Sequence, residues 1–418
     1  MPRKADVTKN RSAGDKRSEL VFDGTAIHAA ELLAASLHGM LTNGSTSWFS
    51  LRYSDRELNG DDEAMEWLQS VEDVMYQAFN RSNFQEQIAE LYLDLVTFGT
   101  AVMFVDKDED QQVRFSTRHI RECFLSEDDK GRVDTVYRKF KMPARAAMQR
   151  FGDDKFDNKI QQKASKNPYE EITLVHAVYP REERDATKVT AENKPFASVY
   201  IEPDQKVVLS ESGFDEFPYM APRFTKASSE LGYGRSPSMT ALPDIKMLNK
   251  MSEVTIRAAQ KQVDPPLLVP DDGFMLPVRT IPGGLNFYRA GTRDRIEPLN
   301  IGANNPLGLN MEEQRRQAIR AAYYVDQLIL GTGPQMTATE VIQRTEEKMR
   351  LLGPLTGRLS QELLQPLITR VYSILSRQKA YEPAPEFMTN QNLEIEYVSP
   401  LAKAQRQGDI QSLSLIHI

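Results

Sequence analysis

A Pro/Gly-rich segment between two helical stretches is the sequence feature that most restricts what this chain can fold into. The stretch before it, residues 236–263, is predicted to be a helix that ends at Asp264-Pro265-Pro266, because proline cannot continue a helix. The segment itself, residues 264–309, is too apolar for a linker and is predicted to be a small β module. Its strand-like runs lie at 267–269, 285–290 and 296–301.

A second helix is predicted to follow the module. Asn310 and Glu313 have the spacing of a capping box, and no helix breaker follows before Leu330. Two helices that bracket a compact module form an antiparallel pair with the module at its tip. Residues 331–335 (Gly-Thr-Gly-Pro-Gln) break the second helix, and a long helix kinked at Gly353-Pro354 is predicted after the break.

The remainder of the chain predicts a mixed α+β fold. Residues 21–99 carry apolar side chains at helical spacing, whereas residues 100–225 hold short β-rich runs with one short helix, from about Pro143 to Phe151. The stripe of the second helix is Met65, Leu68, Val71, Met75 and Phe79. The predicted strands are 100–105, 113–116, 133–140, 172–179, 197–201 and 206–209. The predicted fold class is therefore α+β, with the β-rich part inserted between helical parts.

Hydropathy, cysteine content and charge exclude several classes of protein. No stretch approaches the roughly 18 apolar residues of a membrane-spanning helix, and the first twenty residues contain no apolar region of a secretory signal. The single cysteine, Cys123, excludes a disulfide framework and indicates a reducing compartment. The net charge of −7 argues against a protein that coats nucleic acid, and residues 55–110, with fifteen acidic and three basic side chains, are interpreted as solvated surface.

No motif for catalysis or metal binding is complete. Residues 106–110 resemble the start of a calcium loop, but Gln111 and Thr117 stand where glycine and glutamate are required, so an acidic β-turn is predicted. Residues 232–238 lack the glycines of a dinucleotide fingerprint and of a nucleophile elbow. The histidines are scattered without co-ligands, and Cys123 is interpreted as a small core residue. We expect no enzyme activity, no metal and no cofactor.

Four stretches of the sequence carry a resemblance to a known family. They are ELLAASLHGMLTNGSTSWFSL (31–51), LGYGRSPSMTALPDIKMLNKMSE (231–253), DPPLLVP (264–270) and MTATEVIQRTEEKMRLLGPLTGRLSQELLQPLI (336–368). As a set they resemble the portal (head-to-tail connector) proteins of short-tailed, podovirus-type tailed bacteriophages. With the order of the predicted domains, the resemblance covers about residues 20–405.

The resemblance implies that the chain is divided into the parts of a portal subunit. The two bracketing helices would be the stem, the module between them the clip, and the remainder the wing and a truncated crown. The implied parts are a disordered basic start (1–20), the wing (21–235), stem helix 1 (236–263), the clip (264–309), stem helix 2 (310–330), the tunnel loop (331–336), the long helix and C-terminal strand and helix of wing and crown (337–412) and a non-native end (413–418). The last of these, LSLIHI, is expected to be foreign because it follows a polar run without a cap.

The resemblance also implies a function and a set of partners. The protein would form a ring, usually of twelve subunits, at one vertex of the virion capsid, after assembly in the host cytoplasm. Double-stranded DNA would pass through its channel during packaging and ejection. The implied protein partners are the large terminase subunit, a tail adaptor protein, the major capsid protein and scaffolding proteins, with no membrane. A multimeric neck or tail protein without a DNA channel is the alternative, and an enzyme with an unrecognised motif is a third hypothesis.

Three groups of residues are candidates for the site. The basic stripe of stem helix 1 would either face the channel and touch phosphates loosely or pair with Glu312, Glu313 or Asp326 in the same or a neighbouring subunit. This stripe consists of Lys246, Lys250, Arg257 and Lys261. Aromatic and arginine anchors of the clip interface would be Phe287, Tyr288 and Arg289. The loop candidates, which the resemblance places in the channel, are Leu330, Gly331, Thr332, Gly333, Pro334, Gln335 and Met336.

Overall fold

The protein is described by a computed structural model, in which two compact units are distinguished. The described residues are 20–54, 58–185, 187–188, 190–227, 232–268, 287, 296–298, 306–328, 352–385 and 393–397. The first unit consists of the described parts of residues 11–26 and 241–320. The second consists of the described parts of residues 27–240 and 321–418. Helices and antiparallel strands both contribute to the fold, which confirms the predicted α+β class.

Three helices and a strand form the first part of the chain, and the helices agree with the helical spacing predicted for residues 21–99. They are α1 (Thr25–Leu41), β1 (Phe49–Tyr53), α2 (Asp62–Arg81) and α3 (Phe84–Phe98). Asp61 caps α2, since its carboxylate accepts a hydrogen bond from the Ala64 N–H at 2.9 Å. Gly99 ends α3 with a φ of +80°, and a Cβ at this position would lie 2.5 Å from the carbonyl oxygen of Gly234. Only glycine therefore fits at this helix end.

The predicted apolar stripe of α2 is correct except at its first member. Leu68, Val71, Met75 and Phe79 are buried, as the helical spacing requires. Met65 is 37% exposed, and Ala64 is fully buried in its place. The buried position before Leu68 is thus four residues away, at Ala64, and not three residues away, at Met65. Both spacings occur on one face of a helix, so the sequence pattern alone does not distinguish them.

Two antiparallel sheets form the β-rich part of the second unit. Their strands are β2 (Val102–Asp108), β3 (Gln112–Arg118), β4 (Cys123–Glu127), β5 (Val133–Pro143), β6 (Glu171–Pro180), β7 (Phe196–Glu202), β8 (Val207–Phe214) and β9 (Tyr219–Met220). One sheet has the order β3-β2-β9 and the other the order β4-β5-β6-β7-β8. The six predicted strands are all present, but β4 and β9 were not predicted. The strand β9 has only two residues, and β4 begins directly after a short 3-10 turn, so neither leaves a clear period-two pattern.

Two short helices, not one, interrupt the strands. The predicted helix is α4 (Ala144–Phe151), and a second helix, α5 (Asn158–Lys166), follows it. In α5 only Ile160 and Ala164 are buried and apolar among the residues whose side chains are described. A single pair of apolar positions four residues apart is too weak a pattern to predict a helix from sequence, which explains the omission.

The helix pair and the base of the module form most of the first unit. The elements are α6 (Pro237–Val263), β10 (Leu267–Leu268), β11 (Glu297–Pro298) and α7 (Pro306–Ala322). The short helix α8 (Val325–Leu328) follows α7 and belongs to the second unit. The predicted start of the second helix at Asn310 is wrong, because α7 begins at Pro306. A proline fits the first helical position, where its missing N–H has no intrahelical partner to bond. The helix also ends earlier than the predicted Leu330, in a turn where Tyr324 adopts a φ of +58°.

The described C-terminal part is a helix followed by a strand. Helical residues 352–359 continue through a π-helical turn, Ser360–Leu364, into α9 (Gln365–Arg377). The strand β12 (Leu393–Tyr397) was predicted, and it pairs antiparallel with β1, with Leu51 opposite Ile395. The N-terminal helical part of the second unit is thus completed by residues from the far end of the chain.

Candidate functional site

Polar contacts hold α6 and α7 together within the first unit. The Thr255 hydroxyl donates a hydrogen bond to Glu312 Oε1 at 2.6 Å. Closer to the start of α6, Asp244 accepts one from Arg315 Nη1 at 2.8 Å. Thr255 comes after Asp244 on α6, whereas its partner Glu312 comes before Arg315 on α7. This reversed order is expected of an antiparallel pair of helices. The predicted helical hairpin with the module at its tip agrees with these contacts.

The segment before α1 packs on the same helix pair. The Phe22 N–H donates to Asn249 Oδ1 at 2.8 Å, and Asp23 forms an ion pair with Arg316 at 3.1 Å. Burial alone would raise the pKa of Asp23, but hydrogen bonds from Thr25 and Arg316 lower it below its ordinary value. Asp23 is therefore charged at neutral pH and fixes this segment to α7.

The start of α6 is anchored in the second unit by two buried serines. Ser236 Oγ donates to the carbonyl oxygen of Thr97, and Ser238 Oγ donates to that of Val96, both at 2.9 Å. The Tyr323 hydroxyl in turn donates to Ser238 Oγ at 2.8 Å. These serines, which the sequence presents as an incomplete nucleophile elbow, satisfy the last carbonyl groups of α3.

Exposure along α6 changes abruptly at residue 254. Ile245 and Leu248 are almost fully buried, whereas every described side chain from residue 254 to residue 263 is exposed. The exposed part includes three large apolar side chains: Val254 at 55%, Ile256 at 42% and Val263 at 88%. A helix end that is exposed on all sides and partly apolar has surface available for contacts with another chain.

The predicted basic stripe lies on this helix and is exposed. Lys250 and Arg257 both form ion pairs with Glu253, at 3.0 and 2.7 Å. Hydrogen bonding from Lys250 lowers the pKa of Glu253. Glu312 instead pairs with Arg316, and Glu313 lies near Arg316 and Arg320. Among the described residues the ion pairs of Lys250 and Arg257 are thus local to α6, and contacts of the stripe with DNA or with a neighbouring subunit stay a prediction.

Only the base of the predicted clip is described. There β10 and β11 pair antiparallel, with Leu267 opposite Pro298, which closes the segment between the helices at its base. Phe287 is 66% exposed. Tyr288, Arg289 and the whole predicted tunnel loop, residues 330–336, lie outside the described residues, as does the segment 413–418.

The candidate residues of the calcium-like loop and Cys123 have structural roles in the described part of the chain. Asp108 accepts hydrogen bonds from the N–H groups of Asp110 and Gln111 at 2.9 Å, so the predicted acidic turn lies at residues 109–111, and residues 106–108 are the end of β2. Cys123 is buried, and burial raises its pKa to about 12. In the part of the chain that the structure covers, no group of three acidic, histidine or cysteine side chains is arranged to hold a metal ion. The same residues include no helix that is both long and apolar enough to span a bilayer.

Two buried polar clusters were not predicted from the sequence. In the first, the Arg223 guanidinium bonds to Glu127 and to Glu362, the latter through Nη2 at 2.7 Å, and Lys226 reaches Glu127 at 2.5 Å. In the second, the two ring nitrogens of His176 lie 3.0 Å from the Tyr219 hydroxyl and 2.9 Å from the Ser198 hydroxyl. Burial, assisted by nearby arginines, lowers the pKa of His176 to about 3. Both clusters join residues far apart in sequence, so no local motif announces them.

Comparisons with known proteins give consistent results. The family described as bacteriophage head to tail connecting protein matches residues 1–416. A probable portal protein of Bordetella phage BPP-1 is 33% identical over 409 residues, covering 95% of this chain and 73% of the relative. The portal protein of Salmonella phage epsilon15 is 31% identical over 416 residues, covering 98% and 75%.

Two more distant similarities were found. The portal protein of Enterobacteria phage T3 is 21% identical over 359 residues, covering 81% of this chain and 62% of the relative. The neck of an empty GTA particle, computed with C6 symmetry, is 12% identical with a TM-score of 0.45, covering 96% of this chain and 90% of that one. This structural similarity is too low to support a conclusion about the fold or the assembly.

Proposed function

The chain belongs to the bacteriophage head to tail connecting protein family and is a portal protein, and we propose that its copies form a closed ring around a channel for double-stranded DNA. The observation that carries this proposal is the match to two portal proteins over nearly the whole chain. As a head-to-tail connector the protein is a component of the virion. The proposed role is mechanical and requires no catalytic step in this chain.

The helix pair α6–α7 supports a stem in such a ring. Its members contact each other through Thr255–Glu312 and Asp244–Arg315, and the segment between them is closed at its base by β10 and β11. The exposed end of α6 carries apolar side chains that a single chain leaves in water. In a cyclic assembly each subunit contacts its neighbour through two different surfaces, and this helix end suits one of them.

The basic stripe suits loose contact with a polymer that must move. Glu253 shares its charge between Lys250 and Arg257, so the local positive charge is smaller than the count of basic residues indicates. Dense pairing of cations with phosphates would instead bind DNA tightly through counterion release. In our proposal Lys246 and Lys261 supply the remaining positive charge of the channel wall.

The remaining parts of the proposal follow the portal architecture. Residues 264–309 would form the clip that receives the large terminase subunit and the tail adaptor, with Phe287, Tyr288 and Arg289 as contact residues. The wing would meet the capsid and scaffolding proteins. Twelve subunits and assembly in the host cytoplasm are part of the same proposal.

Electron microscopy of the purified full-length chain tests the central claim. We expect closed rings whose channel is wide enough for duplex DNA. Monomers or open filaments would contradict the proposed portal assembly, whereas closed rings with a channel too narrow for DNA would favour the alternative of a neck protein without a DNA channel.

Replacing the exposed apolar side chains of α6 should prevent ring formation. In a Val254→Asp, Ile256→Asp variant, each carboxylate would have to be buried where an apolar side chain contributes about 1.5–3 kcal/mol. The matched control is Gln317→Asp, which changes the charge at an exposed polar position of α7, outside the apolar end of α6. Sedimentation velocity should find the first variant as a folded monomer and the control as a ring. Intact rings of the first variant would show that this helix end is not a subunit contact.

Deleting residues 331–335 should leave the ring intact and reduce the DNA retained per particle. Glycines at 331 and 333 permit backbone angles that other residues resist, which suits a loop that contacts moving DNA. The measurement is the number of full heads made in complementation by the variant, with replacement of the five residues by five serines as a length-matched control. Loss of rings in the deletion variant would identify a structural connector, and normal genome retention would reject DNA contact.

A further inference from the structure

A cavity of about 570 Å³ with both polar and apolar lining lies in the second unit where β2, α4, β8 and α9 meet. Its charged lining contains more basic than acidic side chains. The basic members are Lys107, Arg150, Lys194, Arg370 and Arg377, and the acidic members are Asp106 and Asp215. A concave site with this excess of positive charge concentrates anions.

Three of the cations form ion pairs with neighbouring carboxylates, and Arg370 also lies 4.0 Å from Asp106. Lys194 pairs with Asp215 at 2.9 Å. Arg370 and Arg377 share Glu216, at 3.0 and 2.6 Å. These groups hold the wall of the cavity together and have little charge left for a ligand.

Two other cations of the cavity form no direct ion pair with a described residue. Lys107 and Arg150 form no ion pair within 4 Å among the residues that the structure describes. An adjoining cavity of about 450 Å³ shares Arg150, Phe151 and Ser210 with the first and adds Lys155, which likewise forms no ion pair with a described residue. Three cations without an ion-pair partner therefore line the two adjoining cavities, which we call the groove. Their charge is offset in part by Asp106, which interacts at longer range with Lys107 and Arg150, whereas Glu211 of the second cavity pairs with Arg181 at 3.1 Å.

The Arg150 guanidinium is held in place before any ligand arrives. Its Nη2 donates to the Tyr200 hydroxyl at 2.9 Å, and its carbon lies 4.7 Å from the centre of the Tyr200 ring. The Tyr200 ring in turn stacks on the buried His176 ring, with 4.0 Å between centroids. A guanidinium fixed in this way keeps its other N–H donors for an oxyanion and loses little side-chain entropy on binding.

The lining also indicates which anion fits. The rings of Phe151 and Tyr200 are both in contact with Arg150, and the Phe214 ring is in contact with Arg370, so none of these three rings offers a free face to a nucleobase. After the partial offset by Asp106, the positive charge of Lys107, Arg150 and Lys155 still exceeds what one carboxylate neutralises, whereas phosphate carries up to two charges and accepts several hydrogen bonds. We propose that the groove formed by Lys107, Arg150 and Lys155 binds phosphate groups, supplied either by free phosphate or by the DNA backbone. This inference does not depend on ring formation.

Equilibrium dialysis of the full chain against radiolabelled inorganic phosphate tests the proposal. We expect saturable binding that Arg150→Gln weakens about tenfold to a hundredfold, because a charge-assisted, two-pronged contact is lost. Arg145→Gln is the matched control, since Arg145 is an exposed arginine of the same helix that lies over a tyrosine, Tyr169, outside both cavities. The control should bind phosphate as the unaltered protein does.

Further measurements identify the source of the phosphate. A short duplex DNA whose binding depends on Arg150 would identify the DNA backbone, and phosphate binding without duplex binding would identify the free anion. Absence of saturable phosphate binding, or equal binding by Arg150→Gln, would overturn the proposal. Stronger competition by a poly-glutamate peptide than by phosphate would also overturn it, because the groove would then be a carboxylate site. Thermal unfolding of each variant verifies that it is folded.

Discussion

Replacing Arg223 by methionine is expected to lower the free energy of unfolding by about 3–5 kcal/mol. The Arg223 side chain is 4% exposed and binds the carboxylates of Glu127 and Glu362. Burial alone would raise the pKa of Glu127, but hydrogen bonds from Lys226 and Arg223 keep it below its ordinary value. Removal of the guanidinium leaves the partly buried Glu362 without its cation and the buried Glu127 with Lys226 alone.

Urea denaturation at neutral pH measures this effect. Arg377→Met is the matched control, because Arg377 pairs with Glu216 at a half-exposed position, where an ion pair contributes about 0–1 kcal/mol. If unpaired charge is the cause, Glu127→Gln and Glu362→Gln in the Arg223→Met background should recover part of the loss. Equal losses for Arg223→Met and Arg377→Met, or no recovery in the triple variant, would contradict this explanation.

The second large effect is a dependence of stability on pH that comes from His176. Its pKa is about 3 in the folded protein and about 6.5 in an unfolded chain, so below pH 6.5 the unfolded chain takes up a proton that the folded protein does not. Because the unfolded state binds more protons, stability falls as the pH decreases from about 6.5 towards 3. Between pH 7 and pH 5 this difference amounts to about 2 kcal/mol.

The measurement is the free energy of unfolding at pH 7 and pH 5 for three proteins. His176→Gln should be less stable than the unaltered protein at pH 7, since the contacts with Tyr219 and Ser198 are disturbed, but should lose about 2 kcal/mol less on acidification. His28→Gln changes a histidine whose side chain is 84% exposed and should keep the original pH dependence. An unchanged pH dependence in His176→Gln would show that this histidine is not the source.

The parts of the fold that were predicted correctly have local signals. The helix α2 combines a capping carboxylate at Asp61 with an apolar stripe from Leu68 to Phe79, and α3 ends at a glycine. In each case the residues that determine the element lie within a few positions of it, so the sequence contains the necessary information. The predicted start of α7 is wrong because two local signals for a helix start lie close together, Pro306 and the capping pair Asn310 and Glu313. The helix begins at the proline.

The polar clusters could not have been predicted in this way. Arg223 and Glu362 are 139 positions apart, and His176 meets Tyr219 from another sheet. Their proximity is a result of strand pairing and of the position of α9, neither of which a short motif encodes. Arg150 likewise is one of many arginines until the fold places it over Tyr200. The basic stripe of α6 can be recognised in the sequence. Its ion pairs with Glu253, which reduce the positive charge of Lys250 and Arg257, become clear only in the structure.

The pairing of β1 with β12 has a consequence for the order in which the chain is made. A ribosome that has just synthesised Tyr53 must add about 340 more residues before Leu393, its antiparallel partner, exists. At roughly 5–20 residues per second, this delay lasts on the order of 20–70 s. During that time β1 presents an unpaired strand edge, which is a site for association with other chains. Completion of this two-stranded sheet must therefore wait until residue 397 has been made, so a shorter nascent chain cannot present the paired strands to its neighbours.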